Sequence, residues 1–407
     1  MTNAEIQRLL DEAVAILKQT TVGYAKRSAD WQANTTTKWW QGLDKIGQAR
    51  KALDSPTPPP PPPSPAASGL IGFCVHLRDD AASIDANVAR YKAAGAQIVR
   101  DDLAWSWMEG TRGNVNYTRA KFICDALVKH GLKLYAVIGY APRWSNGNRD
   151  DKIGPYNPAD FGWFCGQLAK WLQMNYPGLC VGIEPWNEPN IHFLIHPTTG
   201  AMGDPAYYVA LHNVAHGAIK ANSAIPVVAS SSAGDGWGWP GSALPGVWNE
   251  PVMRWNERLL DLGIKFDEWS CHPYEFGDNQ TGAYMTRQGA VTGWTRSIFD
   301  NPAESLAEQL TRRIGYTGPV HASEFGCPTD RPDGSPAPRG TSEQNQADMV
   351  RLAIGQWRAN PRHGHLLLYV ADDYDSWGIE SMEQHFGLWR SDKTPKPAVA
   401  AFTAAIR

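Results

Sequence analysis

The fold of this chain is decided by one stretch, Val181-Gly182-Ile183-Glu184-Pro185-Trp186-Asn187-Glu188-Pro189-Asn190. An apolar run leads into a polar turn interrupted by proline, which is the pattern of a buried strand that runs into a loop. The pattern predicts that Asn187 and Glu188 lie at the exit of that strand. A second strand with a carboxylate at its end follows far downstream, in Pro319-Val320-His321-Ala322-Ser323-Glu324-Phe325-Gly326.

Residues 69–407 alternate short apolar strands with helix-period segments. Near-continuous apolar strands are typical of a parallel sheet that is buried on both faces. Eight strand–helix units are the number found in a (β/α)8 barrel. A doubly wound open sheet would need a glycine-rich phosphate turn after an early strand, and residues 73–79 do not form one. We therefore predict an α/β fold, a (β/α)8 TIM barrel over residues 69–407. The strands are predicted at 70–76, 97–101, 133–139, 180–186, 226–230, 266–272, 319–324 and 365–370.

Polar and aromatic side chains mark nearly every predicted strand exit, where the chemistry of a barrel lies. A few solvated charges would be ordinary at such ends, but aromatic residues interleaved with carboxylates and amides are not. For each residue, the alternative is an ordinary ion pair or packing at the edge of the core. The candidate site residues are His76, Arg100, Trp144, Trp186, Asn187, Glu188, His272, Tyr274, Glu324 and Asp373.

Two carboxyl groups on two strand ends are what glycoside hydrolysis needs. One must be protonated to donate to the leaving oxygen, and its partner must be ionised to attack carbon. Glu188 suits the acid/base role, because an apolar setting beside Trp186 would raise its pKa. Glu324 suits the role of the nucleophile, provided that Arg100 or Tyr274 keeps its carboxylate ionised.

Two further polar residues of the decisive stretch need separate readings. Asn187 can bond a ring hydroxyl next to the reacting carbon, a contact that strengthens in the transition state. Glu184 precedes Glu188 by four residues and is expected to point into the barrel. It is therefore the carboxylate most easily mistaken for a catalytic one.

The chain resembles glycoside hydrolase clan A, the (β/α)8 retaining glycosidases, in Trp186-Asn187-Glu188-Pro189 and Ser323-Glu324-Phe325-Gly326. The similarity covers about residues 70–407 and is greatest to family 39 and the related family 5 enzymes. The resemblance implies that Glu188 is the acid/base and Glu324 the nucleophile. It implies active-site roles for the other matching positions, which are Arg100, Pro142, Trp144, Asn187, His272 and Tyr274. One departure is at the end of strand 8, where many clan members carry Trp. This chain offers Tyr369 and acids, with Trp377 a few residues on, so the pocket floor and the sugar are expected to differ.

Composition excludes several other classes. The formal net charge of −3 attracts neither nucleic acid nor an anionic membrane. No apolar run approaches the roughly 18 residues of a membrane span. The six cysteines are scattered, without a C-x-x-C pair, and are expected to be single buried thiols rather than a zinc site or a disulfide framework. We expect neither a metal nor a cofactor.

The first 68 residues differ in character from the rest. Residues 1–54 are predicted to be helical, and residues 55–68 are a proline-rich linker with six consecutive prolines, a stiff polyproline II spacer. The helical segment is expected either to dock to a partner protein or self-associate, or to pack as a hairpin on the main domain. With no signal peptide, synthesis is expected in the cytoplasm. The helical segment and its linker weakly resemble the anchor segments of tail-associated proteins of phages that infect actinobacteria. This resemblance would imply that the protein is part of a virion and acts on a cell envelope.

The sequence thus predicts a retaining glycosidase that cleaves O-glycosidic bonds of a carbohydrate polymer by double displacement, with carboxyl groups about 5–5.5 Å apart. Endo action on a cell-wall or capsular glycan is favoured by loop tryptophans that could line a cleft. These are Trp105, Trp107, Trp144, Trp237, Trp239 and Trp377. The alternatives are an exo-acting β-glycosidase or xylosidase, a transglycosylase, and a non-catalytic carbohydrate-binding barrel.

Overall fold

A computed structural model of the chain describes most of the predicted barrel. The described residues are 69–233, 252–274, 306–331, 333–335, 337, 340–374 and 382–407. Contacts divide the chain into two units, Met1–Pro63 and Ser64–Arg407. The predictions made for residues 1–68 lie outside the described residues, as do those for Trp237, Trp239 and Trp377.

Eight parallel strands form one sheet, in the order β4-β3-β2-β1-β8-β7-β6-β5. The two outer strands of that order also meet: Ile183 forms a parallel bridge with Val227, and Ile183 N donates to Pro226 O at 2.9 Å. The sheet is therefore nearly closed, and the predicted (β/α)8 barrel is confirmed. The strands are β1 Ile71–Cys74, β2 Ile98–Asp102, β3 Lys133–Ile138, β4 Cys180–Pro185, β5 Val228–Ala233, β6 Glu268–His272, β7 Val320–Phe325 and β8 His363–Leu368.

Helices follow the strands and cover the outside of the sheet with apolar faces. The longer ones are Ala81–Ala94, Thr118–His130, Pro158–Asn175, Pro205–Asn222, Val252–Asp261, Leu306–Ile314, Glu343–Ala359 and Pro397–Ile406. Side chains of Asp80, Asn157, Asp204 and Ser342 cap four of these helices by accepting from backbone N–H groups of the first turn. Gly95, Gly131 and Gly263 follow helices and have positive φ, the conformation that glycine adopts most easily at a helix end.

The structure departs from the sequence prediction in two ways that affect the strand exits. Short helices at Trp105–Met108 and Arg143–Asn146 occupy loops after β2 and β3, and a 3-10 turn covers Met382–His385. β8 begins and ends two residues earlier than predicted. Gly364 is unfavourable inside a strand, but it is needed in β8 because a Cβ there would lie 2.2 Å from Nδ1 of His321. Tyr369 therefore comes after β8 rather than within it.

All six cysteines lie among the described residues, and each is buried as a free thiol, as predicted. Among the helices that the structure describes, none combines the length and the hydropathy of a membrane span.

Candidate active site

The exit of β4 is held in an unusual backbone conformation. β4 ends at Pro185, and φ is then positive at Trp186 (81°) and at Glu188 (41°), a region that side-chain-bearing residues rarely adopt. Two hydrogen bonds between this turn and Ser231 of β5 hold it in place. Ser231 Oγ donates to Trp186 O at 2.9 Å, and Glu188 N donates to Ser231 O at 3.1 Å. The neighbouring strand thereby sets the direction of the Glu188 side chain.

Arg100 on β2 is the centre of the polar cluster. Its guanidinium is buried and donates from Nη1 to Glu324 Oε1 at 2.6 Å, from Nε to Glu184 Oε2 at 2.9 Å, and from Nη2 to Asn187 Oδ1 at 2.8 Å. Because a guanidinium has several donors in one plane, it can align three acceptors at once. Side chains from β2, β4, the β4 exit and β7 are thus brought to one point.

Glu188 and Glu324 lie side by side in this cluster, with His272 of β6 between them. One carboxylate oxygen of each glutamate and one ring nitrogen of His272 all lie within 4.8 Å of one another. His272 Nδ1 is 2.9 Å from Glu188 Oε1 and 3.4 Å from Glu324 Oε2. Tyr274 Oη donates to Glu324 Oε2 at 3.0 Å. The four side chains come from the exits of β4, β6 and β7, as the sequence predicts for a common pocket.

The two carboxyl groups have different surroundings. Burial, together with the charges of Glu324 and Glu383, raises the pKa of Glu188 well above its usual value, although Arg100 acts in the opposite direction. Burial also raises the pKa of Glu324, to about 7, but Arg100 and the hydroxyl of Tyr274 oppose the shift there. The direct contact with Arg100 belongs to Glu324. When the pair holds one proton, Glu188 therefore keeps it and Glu324 is ionised.

His272 is neutral, because burial and the charge of Arg100 lower its pKa well below the usual value. Its Nε2 lies 3.4 Å from Nη2 of Arg100, and a guanidinium can only donate. Nε2 is therefore the unprotonated nitrogen, and Nδ1 carries the proton and donates to Glu188 Oε1.

Glu184 is fully buried within β4 and has a structural environment. Besides Arg100, it accepts from the hydroxyls of Tyr135 and Ser270. These partners occupy both of its oxygens. The geometry agrees with the expectation that Glu184 points into the barrel and is not one of the reacting carboxylates.

Two of the candidate substrate-binding residues have contacts that favour a structural role instead. The indole of Trp186 is only 1% exposed, and its Nε1 donates to Phe193 O, because the positive φ turns the ring into the core. Asp373 is also buried; its carboxylate is bound by Nζ of Lys396 at 2.8 Å and by the backbone N–H of Gly387 at 2.7 Å. Neither side chain offers a free surface to a sugar.

His76 follows β1 and Trp144 lies on the short helix after β3, and both are outside the cluster of hydrogen bonds around Arg100. The ring of His76 packs edge-on against Tyr369 and Tyr374, and burial together with Arg78 and Arg100 lowers its pKa to about 3. Trp144 is half-buried, donates to Glu109 O at 2.8 Å and packs against Trp105.

Sequence reasoning missed one acidic residue of the site, Glu383, which lies on the Met382–His385 turn after β8. Tyr369 Oη donates to Glu383 Oε2 at 2.9 Å, and the charge of Glu383 acts on both Glu188 and Glu324. The residue follows no strand directly and stands in no periodic pattern. The only signal in the sequence is Tyr369, near the end of predicted strand 8, where the resemblance to clan A leads us to expect tryptophan.

Glu188, His272 and Glu324 are also the one group of described residues with the spacing of a metal site. A neutral imidazole and two carboxylates can bind a divalent cation. However, Arg100 already holds a fixed positive charge against Glu324, and a cation placed among these atoms would face it at short range. The donor set therefore fits a proton-transfer pair better than a metal centre.

A scan against protein-family models finds no match to this chain, and no curated protein matches it by sequence. Its structure is nevertheless similar to those of several solved proteins. It superimposes on a GH5_18 protein from Streptomyces cattleya in complex with GlcNAc with a TM-score of 0.61 and 17% identity, covering 84% of this chain and 80% of the other.

Two further neighbours give the same picture. A family 39 glycoside hydrolase from the gut symbiont Bacteroides cellulosilyticus WH2 has a TM-score of 0.56 and 20% identity, covering 82% of this chain and 63% of the other. This chain thus spans less than two thirds of that protein. A monomeric β-xylosidase from Caulobacter crescentus CB15 has a TM-score of 0.58 and 17% identity, covering 83% of this chain and 69% of the other. The resemblance predicted from two short motifs is therefore confirmed at the level of structure: the chain has the fold of the family 5 and family 39 glycoside hydrolases.

Proposed function

We propose that the protein is a glycoside hydrolase that cleaves O-glycosidic bonds with retention of configuration. The observation that carries the proposal is the approach of Glu188 and Glu324 to within 4.8 Å, oxygen to oxygen, at the exits of β4 and β7. Retaining enzymes hold their carboxyl groups about 5–5.5 Å apart, whereas inverting enzymes keep about 6.5–9.5 Å for a water molecule. The close approach supports direct attack by one carboxylate.

Glu324 is the nucleophile in this proposal. Its carboxylate attacks the anomeric carbon, and the bond from that carbon to the leaving oxygen breaks, so that a glycosyl ester forms on Glu324. Arg100 and Tyr274 donate to the two oxygens of Glu324 and favour the ionised state that attack requires. The same donors hold the carboxylate in position on the exit of a rigid strand.

Glu188 is the acid and then the base. His272 Nδ1–H occupies Oε1 of Glu188, so the carboxyl proton belongs on Oε2, where it can be given to the leaving oxygen. In the second step Glu188 takes a proton from water, and the hydroxide oxygen attacks the anomeric carbon and releases Glu324. The proton held by the neutral His272 thus directs the proton held by Glu188.

Asn187 is positioned to bind the sugar next to the reacting carbon. Its Oδ1 accepts from Arg100, which turns the amide so that its Nδ2 donors face away from the guanidinium. A donor held in this way can bond a ring hydroxyl, a contact that strengthens in the transition state.

We propose a carbohydrate polymer as substrate, with endo action preferred. Among the described loop tryptophans, Trp107 supports a cleft because it is 42% exposed on the helix that follows β2. Trp105 does not, because it is fully buried. An exo-acting β-glycosidase is the second candidate, favoured by the likeness to a structure described as a β-xylosidase. Product lengths from xylan, mannan and peptidoglycan digests distinguish the two, because only endo action releases a ladder of oligosaccharides early.

A mechanism-based label tests the proposal directly. A 2-deoxy-2-fluoroglycoside slows hydrolysis of the ester more than its formation, so the labelled peptide identifies the nucleophile. We expect the label on Glu324 in the native protein and in the surface variant Glu257→Gln, and none in Glu324→Gln. Proton NMR of the first product should show the anomer of the substrate. A label on another residue, or an inverted first product, would overturn the mechanism.

Two other functions predict different outcomes of the same experiment. A transglycosylase forms the same ester but gives elongated products when a sugar acceptor is added. A non-catalytic carbohydrate-binding barrel binds sugars without labelling; the presence of both carboxyl groups in contact with their donors argues against it.

A further inference from the structure

A third carboxyl group lies beside the proposed catalytic pair and has no part in the mechanism above. This group is Glu383, and Tyr369 connects it to the pair. The hydroxyl of Tyr369 donates to Glu383 Oε2 at 2.9 Å, and its ring lies edge-on to Tyr274 with the centroids 6.2 Å apart. Tyr274 in turn donates to Glu324. A continuous path of contacts therefore joins Glu383 to the proposed nucleophile, from the region after β8 to the exit of β7.

The hydroxyl groups around Glu383 are oriented in one direction. The single hydroxyl proton of Tyr369 is used on Glu383, so in the 2.9 Å contact between Tyr369 and Tyr374 the hydroxyl of Tyr374 must donate. This arrangement fixes Oε2 of Glu383 from the protein side. For Oε1, no partner occurs among the residues that the structure describes. Within the described part of the chain, this half-buried acceptor beside the proposed nucleophile therefore keeps one oxygen open to a further donor.

The charges of the pocket limit what that donor can be. Glu184, Glu324 and Glu383 are acceptors, and in the described residues the guanidinium that pairs with this cluster is that of Arg100. Arg100 is already shared by Glu184 and Glu324. Among the described residues Arg78 also lies near this region, but it is paired with Asp102 at 3.8 Å. An additional carboxylate brought in by a sugar would therefore face the like charge of Glu383, which is unfavourable.

We propose that Glu383 selects the sugar that enters this pocket. Its open oxygen accepts a hydrogen bond from a hydroxyl or ammonium group, and its charge rejects sugars that present a carboxylate at that position. The substrate class is accordingly a neutral or amino sugar and not a uronic acid. This inference rests on the proposed glycosidase function, because it deepens the description of the same pocket.

Matched sugar pairs test the proposal. The full chain, Glu383→Gln and Glu257→Gln are compared on 4-methylumbelliferyl β-glucoside against β-glucuronide and on β-galactoside against β-galacturonide. Binding of the corresponding free sugars is measured by saturation-transfer NMR. Glu257 lies on the helix Val252–Asp261 and pairs with Arg312 at 3.8 Å, so Glu257→Gln makes the same chemical change outside the cluster around Arg100. The measurements are made at pH 8 to favour the ionised form of Glu383, because burial raises the pKa of this carboxyl group.

We expect the native protein and Glu257→Gln to prefer the neutral member of a pair by about 30-fold or more, and Glu383→Gln to lose about tenfold of that preference. Tyr369→Phe keeps the carboxylate but removes the donor that fixes it, so it should lower the preference by a smaller factor. Equal preferences in all four proteins would overturn the inference while leaving the glycosidase function intact.

If the protein bound neutral sugars selectively but did not hydrolyse any of the glycosides, the glycosidase function would be refuted and the role of Glu383 in sugar selection would stand. Failure of every sugar both to bind and to react would overturn both. Thermal melting of each variant shows whether it is folded, and Tyr369→Phe supplies the comparison if Glu383→Gln is not.

Discussion

Replacing Arg100 by lysine separates the charge of this residue from its geometry. The guanidinium makes three short contacts, to Glu324, Glu184 and Asn187. A lysine ammonium keeps the positive charge but not the planar fork, and it can retain about one of these contacts. About two charge-assisted hydrogen bonds are then lost, at roughly 1.5–3 kcal/mol each. The free energy of unfolding should fall by about 3 kcal/mol or more.

The same change should alter the pH dependence of catalysis. Arg100 opposes the burial that raises the pKa of Glu324 to about 7. If its hydrogen bond to Glu324 weakens by about 1.4 kcal/mol, the pKa of Glu324 rises by about one unit. Because the nucleophile must be ionised, the ascending limb of kcat/KM against pH should move upward by about that amount in Arg100→Lys.

Two assays follow the variant: urea unfolding at pH 7, and kcat/KM from pH 5 to 9 on the best aryl glycoside. Arg112→Lys is the matched control, because Arg112 forms an exposed ion pair with Asp160 and exposed pairs contribute about 0–1 kcal/mol. The control should have the native pH profile and nearly native stability. If Arg100→Lys behaved like Arg112→Lys in both assays, the central role assigned to the guanidinium would be wrong.

Three other outcomes follow from the same site. The kcat/KM of the native protein should rise through about pH 7 as Glu324 ionises and fall only at higher pH as Glu188 loses its proton; an optimum near pH 5 would contradict these assignments. Burial raises the pKa of Glu188 in the folded state above its pKa in the unfolded state. The stability that the protonated Glu188 contributes is therefore fully present below the unfolded-state pKa, and it is lost as the pH rises toward the folded-state pKa. Glu188→Gln should therefore be more stable than the native protein at pH 8, by about 1 kcal/mol or more, and no more stable at pH 4, which calorimetry at the two pH values can check. Dialysis against EDTA should leave kcat/KM unchanged; loss of activity that a divalent cation restores would make Glu188, His272 and Glu324 a metal centre instead.

The barrel and the positions of Glu188 and Glu324 could be predicted because both follow from short, local sequence patterns. Apolar runs of strand length predict β4 and β7. Glu324 is the next-to-last residue of β7 and Glu188 follows the end of β4 by three residues, so both are placed at strand exits once the strands are placed. Trp186 could not be placed in this way. Its position next to Asn187 suggests the pocket, but a φ of 81° turns the indole into the core, and nothing in the sequence predicts that angle. The ion pair of Asp373 is not visible in the sequence for a different reason: its cationic partner, Lys396, lies 23 residues further along the chain.

Glu383 shows why the sugar is harder to predict than the reaction. The proposed reacting groups lie at the ends of strands, whose register with their neighbours is set by backbone hydrogen bonds, so a single residue there has a defined position in space. Glu383 lies on a turn after β8, and its position depends on a side-chain contact with Tyr369. Turns tolerate changes in length and sequence that strands do not. Under the proposed role of Glu383, a change in this turn would alter the group that faces the sugar without moving Glu188, Glu324 or Arg100, so that a chain with the same four-residue motif at β4 would take a different substrate.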